Sequence, residues 1–407
     1  MLAQIEGPDP AVRAARRFAA DIGGLYVANG VIGFVFAASG PLAIILAAGT
    51  AGGLSPAELA SWVFGAFAIN GLLTLLMSSW YRMPLSFFWT IPGTVLVGQA
   101  LDHLTFPEVL GTYYATGLLM LLLGLSGWVR RAMGAIPMPI VMGMVAGVFL
   151  RFGLDLVRAL HADPAIAVPM ALGFLVLSAV PALGRRLPPL LGALVLGVAA
   201  VLLLGRLDGA AGAGLAIVMP VVQAPAFSLA ALVELVLPLA ITVLVVQNGQ
   251  GTAVLQAAGH APPVNAVAAA CGIGALLSAA VGAISTCLTG PTNALLTHSG
   301  ERARHYTAAM VTGALAMLFG LLAPTFTGLL LAAPPGFIMT LAGLAMLRVL
   351  QAAFGIAFRD RCTLGALVSF LVTVADLPIL GIGAAFWGLV AGFAASWLLE
   401  RGEIAAR

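Results

Sequence analysis

Charge is what this sequence has least of. Only 8% of its 407 residues are charged, and lysine is absent. Soluble domains carry about 25% charged residues, so the composition excludes a soluble globular domain. A nucleic-acid-binding protein is excluded too, because it would need a basic surface. The composition therefore indicates a membrane protein.

Cysteine is almost as scarce. Cys271, Cys287 and Cys362 are isolated, with no CxxC spacing. This excludes a disulfide framework and a zinc site, and we predict no metal and no cofactor. Cys271 and Cys362 are interpreted as small interior residues. The role of Cys287 is open, because it lies in one of the interrupted segments described below.

Long apolar runs are what the sequence has most of. Hydrophobic residues make up 61% of the chain, and the mean hydropathy is +1.10. Runs of about 20 residues, the length that crosses a bilayer, follow one another almost without pause. We predict an all-α polytopic membrane protein with about fourteen transmembrane segments in the lipid bilayer.

The arginines predict the orientation. They fall at every second boundary between apolar runs, as at Arg82 and Arg302, whereas Asp102, Glu108 and Asp163 mark the boundaries between. This is the positive-inside pattern, and it places both termini in the cytoplasm. Residues 1–20 and 401–407 are thus predicted to be cytoplasmic, and 1–20 shows no signal-peptide cleavage site.

Two apolar segments are interrupted in the same way. Residues 87–95 and 285–293 each contain an adjacent Gly and Pro flanked by threonine. Backbone in lipid is left unpaired only where it lines a protein cavity. Paired interruptions in the two halves of a chain are typical of the substrate site of a secondary transporter.

The interruptions belong to a longer internal repeat. Gly93 and Gly290 are 197 residues apart (290 − 93), and Arg151 and Arg348 share this offset at the ends of two similar runs. We predict two inverted seven-span repeats, 21–210 and 228–400, joined by a loop at 211–227. An odd number of spans inverts the second copy, in agreement with the arginine alternation.

Each interruption predicts a short extended stretch followed by a half-helix. Proline in the first helical turn loses no hydrogen bond, so helices are expected to begin near Thr94 and Pro291. Helix N-termini bind anions through free N–H groups and the helix dipole. The predicted substrate-binding residues here are Thr90, Gly93, Thr94, Thr289, Gly290, Thr292 and Asn293.

A third polar cluster lies in the eighth predicted span. Gln247, Asn248 and Gln250 are costly in an apolar helix unless they face a cavity or other protein. Ser39, before Gly40 and Pro41 in the first span, marks a kink at the matching position. We predict all four as substrate-binding residues, with interhelical hydrogen bonding as the alternative.

Aromatic residues stand beside the first interruption. Phe87, Phe88 and Trp89 would form an apolar pocket wall for a ring-bearing substrate. Taken singly, each is equally well interpreted as a lipid-facing or interior residue.

Several motifs resemble the bacterial benzoate membrane transport family of benzoate/proton symporters. They are residues 39–44, 89–98, 247–251, 262–266, 285–294 and 381–388, so the resemblance covers nearly the whole chain. It implies a bacterial inner-membrane protein. It also implies a distant similarity to nucleobase transporters, whose seven plus seven inverted spans divide into a core (spans 1–4 and 8–11) and a gate.

The chain departs from the nucleobase relatives at two positions. Those relatives carry glutamates in spans eight and ten, and the matching residues here are Gln247 and Pro291. The departure argues against a nucleobase and for an anion, since no fixed negative charge repels it. Proton coupling is implied by the resemblance. Its candidate residues are His298, Glu234 and Asp376, and the substrate itself is a further candidate as a neutral acid.

The sequence therefore predicts a secondary active transporter that imports a small organic anion, such as benzoate or a related aromatic carboxylate, with a proton. Alternating access would come from core moving against gate. The alternative is an anion channel or uncoupled exchanger on the same fold. A membrane enzyme is not favoured, because no catalytic motif is found. A homodimer is an open alternative for its assembly.

Overall fold

The structure is a computed structural model that describes residues 5–8, 18–129, 131, 137–184, 187–206, 214–298, 300–377, 379 and 384–405. Most of the predicted segment 1–20 lies outside these ranges. So do 211–213 of the predicted loop, 406–407 of the tail, and 381–383 of the last family motif.

The described chain is mainly helical, with one pair of short strands. The elements are α1 (Gly24–Ala38), α2 (Gly40–Ala51), α3 (Pro56–Tyr81), β1 (Phe87–Trp89), α4 (Ile91–Ala100), α5 (Phe106–Ser126), α6 (Met138–Ala162), α7 (Pro164–Ala179), α8 (Pro189–Leu203), α9 (Leu229–Ala257), α10 (Val264–Ala279), β2 (Thr286–Leu288), α11 (Gly290–Leu296), α12 (His305–Leu321), α13 (Ala323–Leu331), α14 (Pro335–Ala357), α15 (Thr363–Ala375) and α16 (Ala384–Leu399). Short helical turns at Phe18–Asp21, Pro181–Gly184, Arg302–Arg304 and Arg401–Ala405 complete the set.

These elements form two compact units that alternate along the chain. Unit 1 comprises Met1–Phe34, Ala60–Ile136 and Ile217–Ala323, and unit 2 comprises Val35–Leu59, Pro137–Ala216 and Pro324–Arg407. Each unit thus takes segments from both halves of the sequence. The division into repeats at 21–210 and 228–400 concerns sequence similarity and stays a prediction.

Many of the helices have membrane character. Among the described residues, six helices are long and apolar enough to cross a bilayer, and the bent pair α12–α13 makes a seventh when taken as one span. Five shorter apolar helices, α7, α8, α10, α15 and α16, accompany them. The protein is therefore a multi-pass membrane protein.

Glycines allow the helices of unit 1 to approach backbone to backbone. A side-chain carbon added at Gly124 of α5 would lie only 2.4 Å from the Ala269 amide nitrogen of α10. One added at Gly320 of α12 would lie 2.4 Å from the Ala68 amide nitrogen of α3. Close contact between small residues is the usual source of helix association in lipid, where the hydrophobic effect does not act between helices.

Unit 2 uses the same device. Carbon atoms added at Gly143 of α6 and Gly40 of α2 would lie 2.3 Å from the Ala366 carbonyl oxygen and the Ala345 Cβ, respectively. Helix α6 therefore packs closely on α15, and α2 on α14. Between α1 and α2 the helix is broken at Ser39, whose hydroxyl donates to the Phe36 carbonyl (2.9 Å). The sequence predicts a kink at this residue, and the helix is interrupted there.

Helix α9 is irregular. It contains two π-helical stretches, Leu232–Val236 and Thr242–Asn248. Extra residues in a helical turn are rare and are found mostly at functional sites. The second stretch ends in the predicted amide cluster.

Candidate substrate site

The two interrupted segments of unit 1 pair with each other. Strand β1 runs antiparallel to β2, with Phe87 opposite Leu288, Phe88 opposite Cys287 and Trp89 opposite Thr286. The pairing extends one residue at each end, because Thr90 N–H donates to Ser285 O and Thr289 N–H to Ser86 O (both 3.1 Å). The extended stretches expected from the Gly/Pro interruptions therefore form one two-stranded ribbon buried in the unit.

A short helix follows each strand. Helix α4 begins at Ile91 and α11 at Gly290, each with proline in its first turn. At the start of α4 the backbone N–H of Gly93 already has a partner, because it donates to the Thr90 hydroxyl (3.2 Å). The start of α11 differs from that of α4. The N–H groups of Gly290 and Thr292 have no hydrogen-bond partner among the described residues.

The two helix starts lie at opposite ends of the ribbon. Thr90 is opposite Ser285, so Thr90 and Thr289 are separated by the stretch from 285 to 289. At a strand rise of about 3.3 Å this is about 13 Å. A carboxylate whose hydrogen bonds measure about 2.9 Å reaches only one of these helix starts directly.

Asn248 of α9 is bound to the ribbon. Its amide oxygen accepts from Leu288 N–H (2.7 Å) on the outer edge of β2. The outer edge of β1 is held similarly by Thr74 of α3, whose hydroxyl accepts from Phe87 N–H (2.8 Å). One backbone N–H on each outer edge of the ribbon is thus satisfied by a side chain, as buried backbone groups require.

Stability should therefore depend on Asn248. In Asn248→Ala the buried Leu288 N–H loses its partner, a loss that costs about 1–3 kcal/mol. A lower melting temperature of the detergent-purified protein is expected. The matched control is Gln250→Ala, because Gln250 is exposed and has no hydrogen bond to a described residue. Equal melting temperatures for the two variants would contradict the role assigned to Asn248.

The two glutamines of the cluster have no hydrogen bond to a described residue. Gln247 is only 6% exposed, yet its amide has no hydrogen-bond partner among the described residues. Gln250 lies across the start of α11, since a side-chain carbon added at Gly290 would be 2.5 Å from its Cγ and 2.8 Å from its Oε1. Both amides are available beside the ribbon.

Most of the hydroxyl and amide groups near the helix starts have internal partners. Asn293 accepts from Ser86 N–H (3.1 Å) and donates to Thr289 O (2.8 Å). Thr94 donates to Thr90 O (3.0 Å), within the first turn of α4. The hydroxyls of Thr289 and Thr292 are 3.4 Å apart and contact each other at the start of α11.

The three aromatic residues do not share one face of the ribbon. Side chains alternate along a strand, so Phe88 shares a face with Thr90, while Phe87 and Trp89 lie on the other. All three are buried, at 0%, 4% and 2% exposure for Phe87, Phe88 and Trp89. The Phe67 ring packs against Trp89 at 4.9 Å and Phe88 at 5.7 Å. Of the three, Phe88 shares its face with the threonine caps.

The remaining predicted residues are not part of the ribbon. Ser39 belongs to unit 2. Of the proton candidates, His298 and Asp376 are exposed, two residues after α11 and at the end of α15. Glu234 is 5% exposed, and its carboxylate lies 3.0 Å from His103 Nε2.

Sequence reasoning missed several residues that the structure brings to the site. Thr242 of α9 accepts a hydrogen bond from the Thr90 hydroxyl (3.0 Å), which ties α4 to α9. The hydroxyls of Ser86 and Ser285 are buried with no partner among the described residues. The two serines could have been found from the sequence, because each lies four residues before the threonine that precedes a half-helix, Thr90 or Thr289. Thr242 and His103 stand in no motif.

Solved structures share this fold. The transmembrane domain of the cyanobacterial bicarbonate transporter BicA matches with a TM-score of 0.60 and 18% identity, covering 91% of this chain and 98% of that one. Murine Slc26a9, an anion transporter, matches with a TM-score of 0.64 and 13% identity, covering 92% and 68%. The fold is thus that of a class of membrane transporters.

The family is shown by the sequence. Residues 20–398 match the benzoate membrane transport protein family, and the chain belongs to it. The inner membrane protein YdcO of Escherichia coli K12 is 32% identical over 354 residues, 86% of this chain and 89% of that protein. The benzoate membrane transport protein of Acinetobacter baylyi is 29% identical over 378 residues, 91% and 94%. The predicted family is confirmed, and its members are transporters, not enzymes.

Proposed function

We propose that this protein imports a small organic anion, an aromatic carboxylate such as benzoate, together with a proton. The observation that carries the proposal is the buried ribbon of β1 and β2 with a half-helix after each strand, in a chain of the benzoate transport family. Broken segments of this kind form the midplane site of secondary transporters.

The proposed site lies along the ribbon between the starts of α4 and α11. The substrate carboxylate is placed nearer α11, where Gly290 and Thr292 have free N–H groups and the helix dipole favours an anion. The unpartnered amide of Gln247 and that of Gln250 supply further donors. Phe88 is the proposed wall for the ring, on the face that it shares with Thr90.

Charge supports an anionic substrate. The predicted substrate-binding residues include neither carboxylate nor amine, and Gln247 and Pro291 stand where nucleobase transporters are expected to have glutamates. A nucleobase would thus find no carboxylate to accept hydrogen bonds from its N–H groups. An anion would find backbone and amide donors and no repulsion.

The architecture proposed for this activity is fourteen segments in two inverted repeats. The seven long spans, five shorter apolar helices and two broken segments agree with that number. The contact of Gly124 with Ala269 is reproduced by that of Gly320 with Ala68, as a repeat requires. Units 1 and 2 would act as core and gate in alternating access. Both termini would lie in the cytoplasm of a bacterium, as the arginine pattern favours.

Uptake into proteoliposomes tests the proposal. Protein-dependent uptake of labelled benzoate should saturate, should be driven by an inside-alkaline pH gradient, and should be inhibited by related aromatic carboxylates but not by uracil. Protein-free liposomes measure the diffusion of neutral benzoic acid, which must be subtracted. Uptake that does not depend on the pH gradient would instead indicate an uncoupled exchanger or a channel. Accumulation of a different anion without any transport of benzoate would refute the substrate assignment.

A further inference from the structure

Helix α9 holds a buried carboxylate with a histidine partner. Glu234 is 5% exposed, and its Oε2 lies 3.0 Å from His103 Nε2, in the turn after α4. The His103 side chain is 35% exposed. We propose that the His103–Glu234 pair is the proton-binding site of this transporter. The inference rests on the proposed proton-coupled function; the sequence analysis names Glu234, with His298 and Asp376, as a candidate, but not His103.

The position of Glu234 favours a function over a packing role. The most apolar stretch of 18 residues within Leu229–Ala257 has the highest mean hydropathy of any such stretch in the six long spans. An ionisable residue in such a span is costly and usually marks an ion or proton pathway. Glu234 also lies in the first π-helical stretch of α9, and such irregularities are concentrated at functional sites.

Few other titratable groups stand near the pair. The packed segments α4 and α9, described in full, carry no charged side chain besides Glu234. Exposed Asp102 precedes His103, and α5 contributes Glu108, Tyr113 and Tyr114. The Glu108 carboxylate is occupied by the N–H and hydroxyl of Thr105. Glu234 is therefore the only carboxylate that α4 and α9 contribute at this point.

The pair suits reversible proton binding. With one proton it is neutral, whether written as imidazolium and carboxylate or as imidazole and carboxylic acid. A second proton leaves a net charge of +1, and loss of the proton leaves −1. The His103 ring is partly exposed and thus joins the buried carboxylate to the protein surface, on the side that the arginine pattern makes external.

Proton binding here can act on the substrate site, because α4 and α9 are joined at both ends of α4. The Thr90 cap contacts Thr242 at one end, and His103 contacts Glu234 at the other. Glu234 and Thr242 are separated by about 12 Å at a rise of about 1.5 Å per residue. Changing the charge of the pair therefore changes the contact between the two segments that carry Thr90 and Gln247.

The test separates coupling from substrate movement. Full-length wild type, His103→Gln and Glu234→Gln are compared in proteoliposomes, with Asp102→Asn as the neighbouring control. With an inside-alkaline gradient of one pH unit and one proton per benzoate, wild type should concentrate benzoate up to about tenfold over the external solution, and faster than the protein-free control. Both pair variants should lose this gradient-driven accumulation and keep benzoate counterflow at equal pH. Asp102→Asn should behave as wild type.

Two results would overturn the proposal. One is gradient-driven accumulation at the wild-type level in both pair variants. The other is loss of counterflow in folded His103→Gln, since the pair would then serve substrate movement itself.

A substrate-free measurement keeps the test independent of benzoate. The melting temperature should depend less on pH in both variants than in wild type, and an unchanged dependence would count against the pair. Wild type without benzoate counterflow would refute the proposed substrate only.

Discussion

Replacing Gly290 with leucine is expected to abolish transport while the protein stays folded. A carbon added at Gly290 would lie 2.5 Å from Gln250 Cγ and 2.7 Å from its Cδ. Leucine would push the Gln250 amide away and cover the free N–H groups at the start of α11. Displacement of binding groups by about 1 Å can cost about 100-fold in rate, and we expect a loss of at least about this size in benzoate uptake.

The measurement is the initial rate of protein-dependent benzoate uptake, with the elution profile and melting temperature as checks on folding. Gly355→Leu is a suitable control, because Gly355 lies within helix α14 and an added carbon there meets no atom within 4 Å. It should transport like wild type. If Gly290→Leu also transports normally, the start of α11 does not bind the substrate.

The broken segments could be predicted from sequence because their signals are local. Proline in the first turn fixes where α4 and α11 begin, and β-branched or aromatic residues favour the extended stretch before them. The register between the strands could not be predicted, since it joins Phe87 to Leu288 across the chain. No local pattern specifies a pairing between residues so far apart.

The different roles of similar residues within the site could not be predicted from the sequence either. Thr90 and Thr289 are the same residue type at matching positions, yet only Thr90 caps its own helix through its side chain. Asn248 and Gln250 are both amides on α9, yet one holds β2 and the other lies over Gly290. Such differences depend on which neighbouring backbone group is within hydrogen-bond distance, and that is set by packing.

The largest effect on stability is expected from Gly124→Val. A carbon added at Gly124 would lie 2.4 Å from the Ala269 amide nitrogen and 2.8 Å from its Cα. These are backbone atoms, so no side-chain rotation relieves the overlap, and α5 and α10 must separate. Overpacking of this kind typically costs about 1–3 kcal/mol, and the rigid contact favours the upper end of that range. A markedly lower melting temperature and poor recovery of monodisperse protein are expected.

The same substitution at Gly320 adds a test of the repeat. A carbon there would lie 2.4 Å from the Ala68 amide nitrogen and 3.0 Å from its Cα, nearly the geometry found at Gly124. If α5–α10 and α12–α3 are equivalent contacts of two inverted copies, Gly320→Val should lower the melting temperature about as much as Gly124→Val. Gly355→Val, which meets no neighbouring atom, should change it little. A large effect at one of the two sites and none at the other would show that the contacts are not equivalent, and the repeat would lose its structural support. Equal effects would instead mean that unit 1 is held together twice by the same glycine contact, which positions both halves of the ribbon proposed to bind the substrate.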